Sequence, residues 1–474
     1  MIPSRPLLLF LSSRATRANA SAVEGPWLDF SRTRIGETII PRSPKLRGCR
    51  TPHFSGRGLK AHLPSLLART SVLALLFFFL LSLPTRAQIQ PINPNPNQPS
   101  PAIEADGYLY ISAQGPHTTN GPGPTDFPAQ VRQSLDNLKS ILEAAHLTLD
   151  NLVYLQVYLE NIDNYAALDQ SFAAYFPKTP PARSVLGVAK LPEPQIQINA
   201  IAVLDLKDKQ PVTPKNFKPG KSYSPGMLTH DRLFISTMLG ADPATGKIPA
   251  APAAQVDQAL DNLKSVCESA NLTLAHMVFV NPYLTAAIPA QVMNQLYSQR
   301  FEFGNTPGRA TIKVSSLPEN NHIAYTGIAV RDLSQRHAIR PKNMPPSPTA
   351  SPCVFAGDTL FCSAKSGFTP GPNSGVFAES TANQARQTMR NQLDNLEEAG
   401  MKFDQVVSVT IYLDNLSDSA DYHRIYKKFF SGPLPAETLL QQIPPVPQRT
   451  ADAESSYPDL EQMSLIAVRP HRTP

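Results

Sequence analysis

Three short motifs in this chain hold the side chains best suited to chemistry. Pro181-Ala-Arg-Ser184 and Pro307-Gly-Arg-Ala310 each present an arginine, Arg183 and Arg309, whereas Pro435-Ala-Glu-Thr438 presents Glu437. A guanidinium is planar and permanently charged, and its fork of N–H donors matches a carboxylate through two bonds at once. A glutamate at the same place reverses the charge. Further along each copy a closing strand ends in Ile-Ala-Val. Within it Gln197, Ala324 and Gln462 occupy matching positions. The sequence has no His, Cys or Asp cluster at metal spacing, no glycine-rich phosphate loop and no Gly-x-Ser-x-Gly elbow. Neither a metal nor a cofactor is therefore expected.

The elements that position these residues recur three times. Leu135-Asp-Asn-Leu-Lys139 returns as Leu260-Asp-Asn-Leu-Lys264 and as Leu393-Asp-Asn-Leu396. An apolar strand ending in Ser112, Ser236 or Ser363 precedes each copy, and a second strand follows at 153–159, 278–284 or 406–413. The period is about 125 residues, the size of a domain. In copy one the spacing predicts a helix over 127–145 with Val131, Leu135, Leu138 and Leu142 on one face. A second helix is expected over 164–176, with Tyr165, Leu168, Phe172 and Tyr175 on its apolar side. Segments 151–159 and 195–204 alternate as strands do, and Pro180-Pro181 punctuates the approach to a strand over 183–191. The order argues an α+β fold with two helices on one face of each sheet. Proline clusters at 88–98, 207–219 and 334–348 read as linkers, leaving repeats at 99–206, 220–333 and 349–470.

Charge excludes a nucleic-acid role. The formal balance is +6, but 13 of the 43 Lys and Arg lie within residues 1–86 beside only 3 acidic residues. The remainder is mildly acidic and offers no basic footprint. The basic leader runs into an apolar stretch at 71–83 and ends near Ala87, the pattern of a secretory signal peptide. A stretch of about 13 residues is short for a membrane span. Export with a mature N-terminus near Gln88 is expected, to the periplasm or outside the cell; an uncleaved N-terminal anchor is the alternative. Residues 1–60 show no apolar period and carry no fold assignment. Cys353 and Cys362 flank a hairpin turn at Gly357-Asp358, and counting outward from it pairs the two cysteines. They form either a disulfide, favoured by an oxidising compartment, or two buried thiols.

Ser112-Ala-Gln114, Val131-Arg-Gln-Ser-Leu-Asp-Asn-Leu-Lys139, Pro181-Ala-Arg-Ser184 and Gln197-Ile-Asn-Ala-Ile-Ala-Val203 together resemble the RidA/YjgF family of enamine/imine deaminases. The resemblance covers about residues 98–470 in three tandem copies. It implies a chorismate-mutase-like fold, usually assembled as a homotrimer around a central barrel with ligand clefts between subunits. Three copies in one chain then suggest an intramolecular pseudo-trimer and a monomer in solution. Closing the ring removes open sheet edges.

The resemblance also implies roles. Arg183 and Arg309 hold a substrate carboxylate, and Glu437 leaves a third site that is dead or binds something else. The family's water-activating Glu is replaced by Gln197, Ala324 and Gln462, with Gln197 a water-orienting candidate. The family's Tyr is kept as Tyr223 and replaced by Pro99 and Ala350. Its helix Asn is kept as Asn294 and replaced by Asp169 and His423. On this pattern copy two keeps Arg309, Tyr223 and Asn294 together, and an acid restored at Ala324 would complete it. His423 beside Arg424 and Lys427 reads as a solvated helix face. The expected ligand is a small carboxylate-bearing molecule. Three functions stay open: hydrolysis of 2-imino or enamine acids, non-catalytic small-molecule binding on a module derived from that fold, or a scaffold whose clefts are vestigial.

Overall fold

The computed structural model describes residues 89–470, except 119, 120, 219, 343 and 371–374. The leader and its apolar run at 71–83 lie outside the described residues. Repeat 1 comprises β1 (Gln90–Ile92), β2 (Ala102–Ala105), β3 (Tyr108–Gln114), α1 (Phe127–Ala144), β4 (Leu152–Leu159), α2 (Tyr165–Tyr175), β5 (Ala182–Gly187) and β6 (Ile196–Val203). Repeat 2 comprises β7 (Gln210–Val212), β8 (Gly226–Leu228), β9 (Arg232–Leu239), α3 (Pro252–Ser269), β10 (Met277–Leu284), α4 (Ala290–Ser298), β11 (Gly308–Arg309), β12 (Ile312–Lys313) and β13 (Ile323–Val330). Repeat 3 comprises β14 (Arg336–Ile339), β15 (Cys353–Ala356), β16 (Thr359–Ser366), the short pair β17 (Phe368–Thr369) and β18 (Val376–Phe377), α5 (Thr381–Glu398), β19 (Val406–Leu413), α6 (Ser419–Tyr426), β20 (Ala436–Gln441) and β21 (Glu461–Val468).

The three main sheets share one strand order. In repeat 1 it is β1-β2-β3-β6-β4-β5, antiparallel except for the parallel pair β4–β5 that α2 bridges. The helices form where the apolar period predicts them. Asp126 caps α1 by accepting from the Ala129 N–H, and Pro128 sits in the first turn, where its missing donor costs nothing. Val131, Leu135, Leu138 and Leu142 are fully buried against the sheet, as are Leu168 and Phe172 of α2; Tyr165 and Tyr175 sit at the margin. The strand at 183–191 is shorter than expected, ending at Gly187.

The linkers need correction. Each contains the first strand of the following sheet: β1, β7 and β14 pair with β2, β8 and β15. Pro91 and Pro211 lie at the centre of two of these strands, and both strands are sheet edges, where a residue without an N–H is tolerated. Residues that read as spacers thus extend the repeats.

Every sheet buries both faces. Leu155, Val157 and Leu159 of β4 pack under the helices of repeat 1, and Tyr158 points the other way. A register shift between Leu152 and Tyr154 lets Leu152 join the helix side, and matching shifts occur in β10 and β19. The second faces meet one another: two apolar clusters draw residues from all three repeats, including Tyr108, Phe234 and Val407 in one and Tyr158, Tyr283 and Tyr412 in the other. Those three tyrosines line a central cavity of about 100 Å³. The sheets nevertheless keep separate hydrogen-bond ladders, and among the described residues no ladder closes into one barrel.

Contacts between repeats follow a rule. The Arg183 N–H donates to Ser236 Oγ, the Arg309 N–H to Ser363 Oγ and the Glu437 N–H to Ser112 Oγ, each at 2.8 Å. The sequence of contacts therefore runs from repeat 1 to 2, from 2 to 3 and from 3 back to 1. Arg232 ties the repeats again. Its side chain is 1% exposed and meets Asp106 of repeat 1 at 2.6 Å, Asp231 at 3.0 Å and Thr359 of repeat 3 at 2.8 Å. Cys353 and Cys362 face each other across the β15–β16 hairpin and form a disulfide, and Cys267 is a buried free thiol.

Glu461 breaks the apolar pattern, because repeats 1 and 2 place Ile196 and Ile323 there. Burial pushes its carboxyl up to about 8, opposed by a hydrogen bond from Thr388 and assisted by Asp459.

Three outcomes follow. Arg232→Met should destabilise the fold in urea by less than the about 3–5 kcal/mol that stranding a fully buried charge costs, since it leaves the partly buried Asp106 and Asp231 without their cation. Denatured, unreduced full-length chain should react with thiol reagent at two cysteines, Cys49 and Cys267; four reactive thiols would exclude the bridge. Because the folded Glu461 value lies above its ordinary value of about 4.3, its contribution is full below that pH and is lost as pH rises toward 8. The melting temperature of Glu461→Gln relative to wild type should therefore climb between pH 4.5 and 8, and a flat difference would show the acid is not buried as described.

Candidate functional site

Each cleft has walls from two repeats. One wall is the strand that carries the Pro-Ala-Arg-Ser motif or its equivalent, where the serine bond fixes the backbone. The adjoining wall is the segment that opens the next repeat. In the first cleft the Ser224 N–H donates to the Pro181 carbonyl at 3.1 Å. The corresponding bonds are Ser351 N–H to Pro307 and Ser100 N–H to Leu434. Tyr223, Ala350 and Pro99, each preceding one of these serines, therefore line the clefts of Arg183, Arg309 and Glu437 respectively.

This pairing corrects the grouping by copy. Tyr223 does not accompany Arg309; its ring lies 5.2 Å from the Arg183 guanidinium, across the repeat boundary. Gln462 likewise lines the cavity of Arg309, the arginine of the preceding repeat. The same relation assigns Ala324 to the Arg183 cleft and Gln197 to the Glu437 cleft. Gln197 and Arg183 thus do not share a site. A linear motif reveals what a copy contains but not which copy completes it.

The Arg183 cleft is already neutralised. Arg183 is 1% exposed on its side chain and pairs with Asp169 of α2 at 2.5 Å. Phe172, at 4.9 Å, and Tyr223 sandwich its guanidinium. Two of its nitrogens, Nε and Nη1, are buried without a protein partner. A second carboxylate acts from repeat 2. Glu319 stands on a turn in left-handed backbone, φ 56°. Burial pushes the Tyr223 phenol up, Arg183 opposes, and Asp169 and Glu319 push it further.

The Arg309 cleft is different. The Arg309 side chain donates to the neutral Asn294 amide at 2.7 Å and stacks on Tyr297 at 5.1 Å, and no carboxylate pairs with it among the described residues. Burial lowers its affinity for a proton, partly offset by the phenols of Tyr297 and Tyr325. It opens on a cavity of about 550 Å³ lined also by Ser363, Lys365 and Gln462. Lys365 was not legible as a site residue. It follows Ser363-Ala at the end of β16, where the other copies have Gln114 and Met238. Burial lowers its pKa, and Asp394 only partly restores it.

In the third cleft Glu437 Oε1 lies 2.9 Å from His423 Nε2. His423 is therefore not a solvated helix face: its side chain is 18% exposed, and its Nδ1 meets the Ser419 carbonyl at 2.8 Å. Asp169, Asn294 and His423 thus occupy one place on the second helix of each repeat, and each contacts the residue at the motif position. The described residues contain no cluster able to hold a metal ion and no helix long and apolar enough to cross a membrane.

Known proteins match the repeated domain. The family model described as endoribonuclease L-PSP matches residues 92–204, 213–330 and 343–450. The 2-iminobutanoate/2-iminopropanoate deaminase of Escherichia coli K12 is 38% identical over 106 residues, covering 21% of this chain and 83% of that protein. The mitochondrial protein MMF1 of Saccharomyces cerevisiae is 35% identical over 106 residues, covering 22% of this chain and 73% of its own. The crystal structure of yeast Mmf1 matches 25% of this chain and all of its own, at 30% identity with a TM-score of 0.24. The chain belongs to the endoribonuclease L-PSP family, that of the RidA, YjgF and RutC proteins, and carries the family's domain in three tandem copies.

Proposed function

We propose that this is an exported protein that binds a small carboxylate-bearing molecule, foremost in the Arg309 cleft, and that it hydrolyses 2-imino acids poorly or not at all. The observation that carries this reading is Arg309 itself: a partly buried guanidinium with a neutral partner, Asn294, facing a cavity of about 550 Å³. A buried charge is costly until an opposite charge meets it. Arg183 offers less, because Asp169 already neutralises it. Lys365 adds a second cation to the lining of the Arg309 cavity and suits a ligand with more than one anionic oxygen.

The chemistry for hydrolysis is incomplete. The Escherichia coli relative is named for deamination of 2-imino acids. Here Gln462 lines the Arg309 cleft, where it can orient water but cannot act as a general base. Such a base contributes about 10²–10⁴-fold. An acid restored at Ala324 faces Arg183, so Gln462→Glu is the change that joins a carboxylate to Arg309 and Asn294.

Export is the proposed localisation, supported by the basic leader, the apolar run at 71–83 and the disulfide Cys353–Cys362, a bond of oxidising compartments. An intramolecular pseudo-trimer around a central barrel is the proposed assembly. The three serine bonds and the two shared clusters support it.

Calorimetry with 2-oxobutanoate, the stable keto counterpart of an imino acid, tests the reading. Arg309→Met should weaken binding by about 1.5–3 kcal/mol, roughly 10–150-fold, and Arg183→Met should weaken it less. Equal binding by wild type and Arg309→Met would sink it. Gln462→Glu should hydrolyse a 2-imino acid faster than wild type and faster than Ala324→Glu. Sedimentation should give the mass of one mature chain; a stable trimer of chains would refute the internal assembly.

A further inference from the structure

The third cleft retains the aromatic ring on which its two counterparts seat a guanidinium, but not the guanidinium. In the first, the Arg183 guanidinium lies over Phe172, and in the second that of Arg309 lies over Tyr297. The equivalent ring in repeat 3 is Tyr426, buried and 5.9 Å from the His423 ring. Among the described residues no Lys or Arg lies over it. The residue that would have supplied the cation is Glu437, held by the same backbone bond to a serine of the next repeat.

Glu437 is also incompletely satisfied. Its side chain is 8% exposed; Oε1 meets His423, while Oε2 is buried and meets no donor. The hydroxyls of Tyr422 and Tyr426 are buried without partners as well; burial pushes both phenols up first, followed by Glu461 and then Glu437 at Tyr422 and by Glu437 at Tyr426. A carboxylate oxygen, two phenol oxygens and an aromatic face are the groups that recognise a cationic nitrogen bearing N–H donors.

We propose that the cleft between repeats 3 and 1 binds a small molecule through a guanidinium or primary ammonium group, which pairs with Glu437 Oε2 against the Tyr426 ring. The ligand supplies the cation that the chain itself supplies in the other two clefts. One protein then presents sites of opposite charge preference on one scaffold, and the Arg-to-Glu replacement is a change of ligand class.

Binding is linked to a proton. His423 Nδ1 faces a carbonyl and therefore carries hydrogen, so one further proton lies between Nε2 and Glu437. The groups set against His423 are Glu437 from β20, Lys427 beyond its own helix, and the neighbouring phenols of Tyr422 and Tyr426. An arriving cation competes with that shared proton, so affinity rises with pH.

Ethylguanidinium and ethylammonium are the probes, titrated into the full chain by calorimetry while the His423 ring protons are followed by NMR. Expected are saturable binding of one probe per chain, tighter at pH 8 than at pH 6, and a fall in the His423 titration midpoint on saturation. Glu437→Gln should weaken binding at least tenfold. His423→Gln should keep binding but lose its pH dependence. The wild-type NMR shift stands even where Glu437→Gln fails to fold. No saturable binding, an unmoved His423, or undiminished affinity in folded Glu437→Gln would overturn the proposal. None of these outcomes depends on 2-oxobutanoate at Arg309.

Discussion

A buried serine hydroxyl that joins two repeats is the constraint on which the clefts depend. Ser112, Ser236 and Ser363 hold equivalent places in β3, β9 and β16, and each donates at 2.6 Å to a carbonyl twelve residues upstream. Each then accepts at 2.8 Å the main-chain N–H of a residue in another repeat. Single bonds of this kind contribute only about 0.5–1.5 kcal/mol net. Their importance is directional: both hydroxyl functions are committed, so the backbone at 183, 309 and 437 has one position relative to its neighbour. The bond asks nothing of the side chain at those residues. That freedom is why Arg and Glu occupy the same place without disturbing the assembly.

With the backbone fixed, the electrostatics of each cleft are set by what the second helix of the same repeat presents. Asp169 neutralises Arg183, Asn294 leaves Arg309 charged, and His423 shares a proton with Glu437. Two further substitutions widen the divergence. Glu319 adds negative potential to the first cleft, and Lys365 adds positive charge to the lining of the second. Three copies that began alike in pattern therefore offer a closed ion pair, an unpaired cation and a carboxylate–imidazole pair.

The burial on the two faces of each sheet follows different rules. Beneath the helices the core is aliphatic and reads from periodicity, as at Leu135, Leu138 and Leu155. Where the sheets meet, tyrosines and polar residues such as Gln156 and Asn281 line a small cavity. Arg232 with Asp106 and Asp231 forms a further polar tie between repeats. Partnered by those carboxylates, Arg232 is held in place; alone it would be a buried charge.

The sequence by itself determined the repeats, the helices with their apolar faces, most of the strands, and the hairpin register that sets Cys353 opposite Cys362. All of these rest on local spacing: a period of 3.6 or 2 selects the buried face, and a two-residue turn sets a hairpin register. It also marked Arg183, Arg309 and Glu437 as equivalent positions, through a motif repeated in the chain. Only the tertiary structure decided which residues meet. Tyr223 belongs with Arg183 and Gln462 with Arg309, because the bonds that build each cleft join positions 53, 54 or 325 residues apart. Lys365 and Glu319 were invisible for the same reason, and His423, aligned with Asn294, read as a solvated face because its partner Glu437 comes from another strand. No local period records a neighbour supplied by another strand or by the packing of one sheet against another.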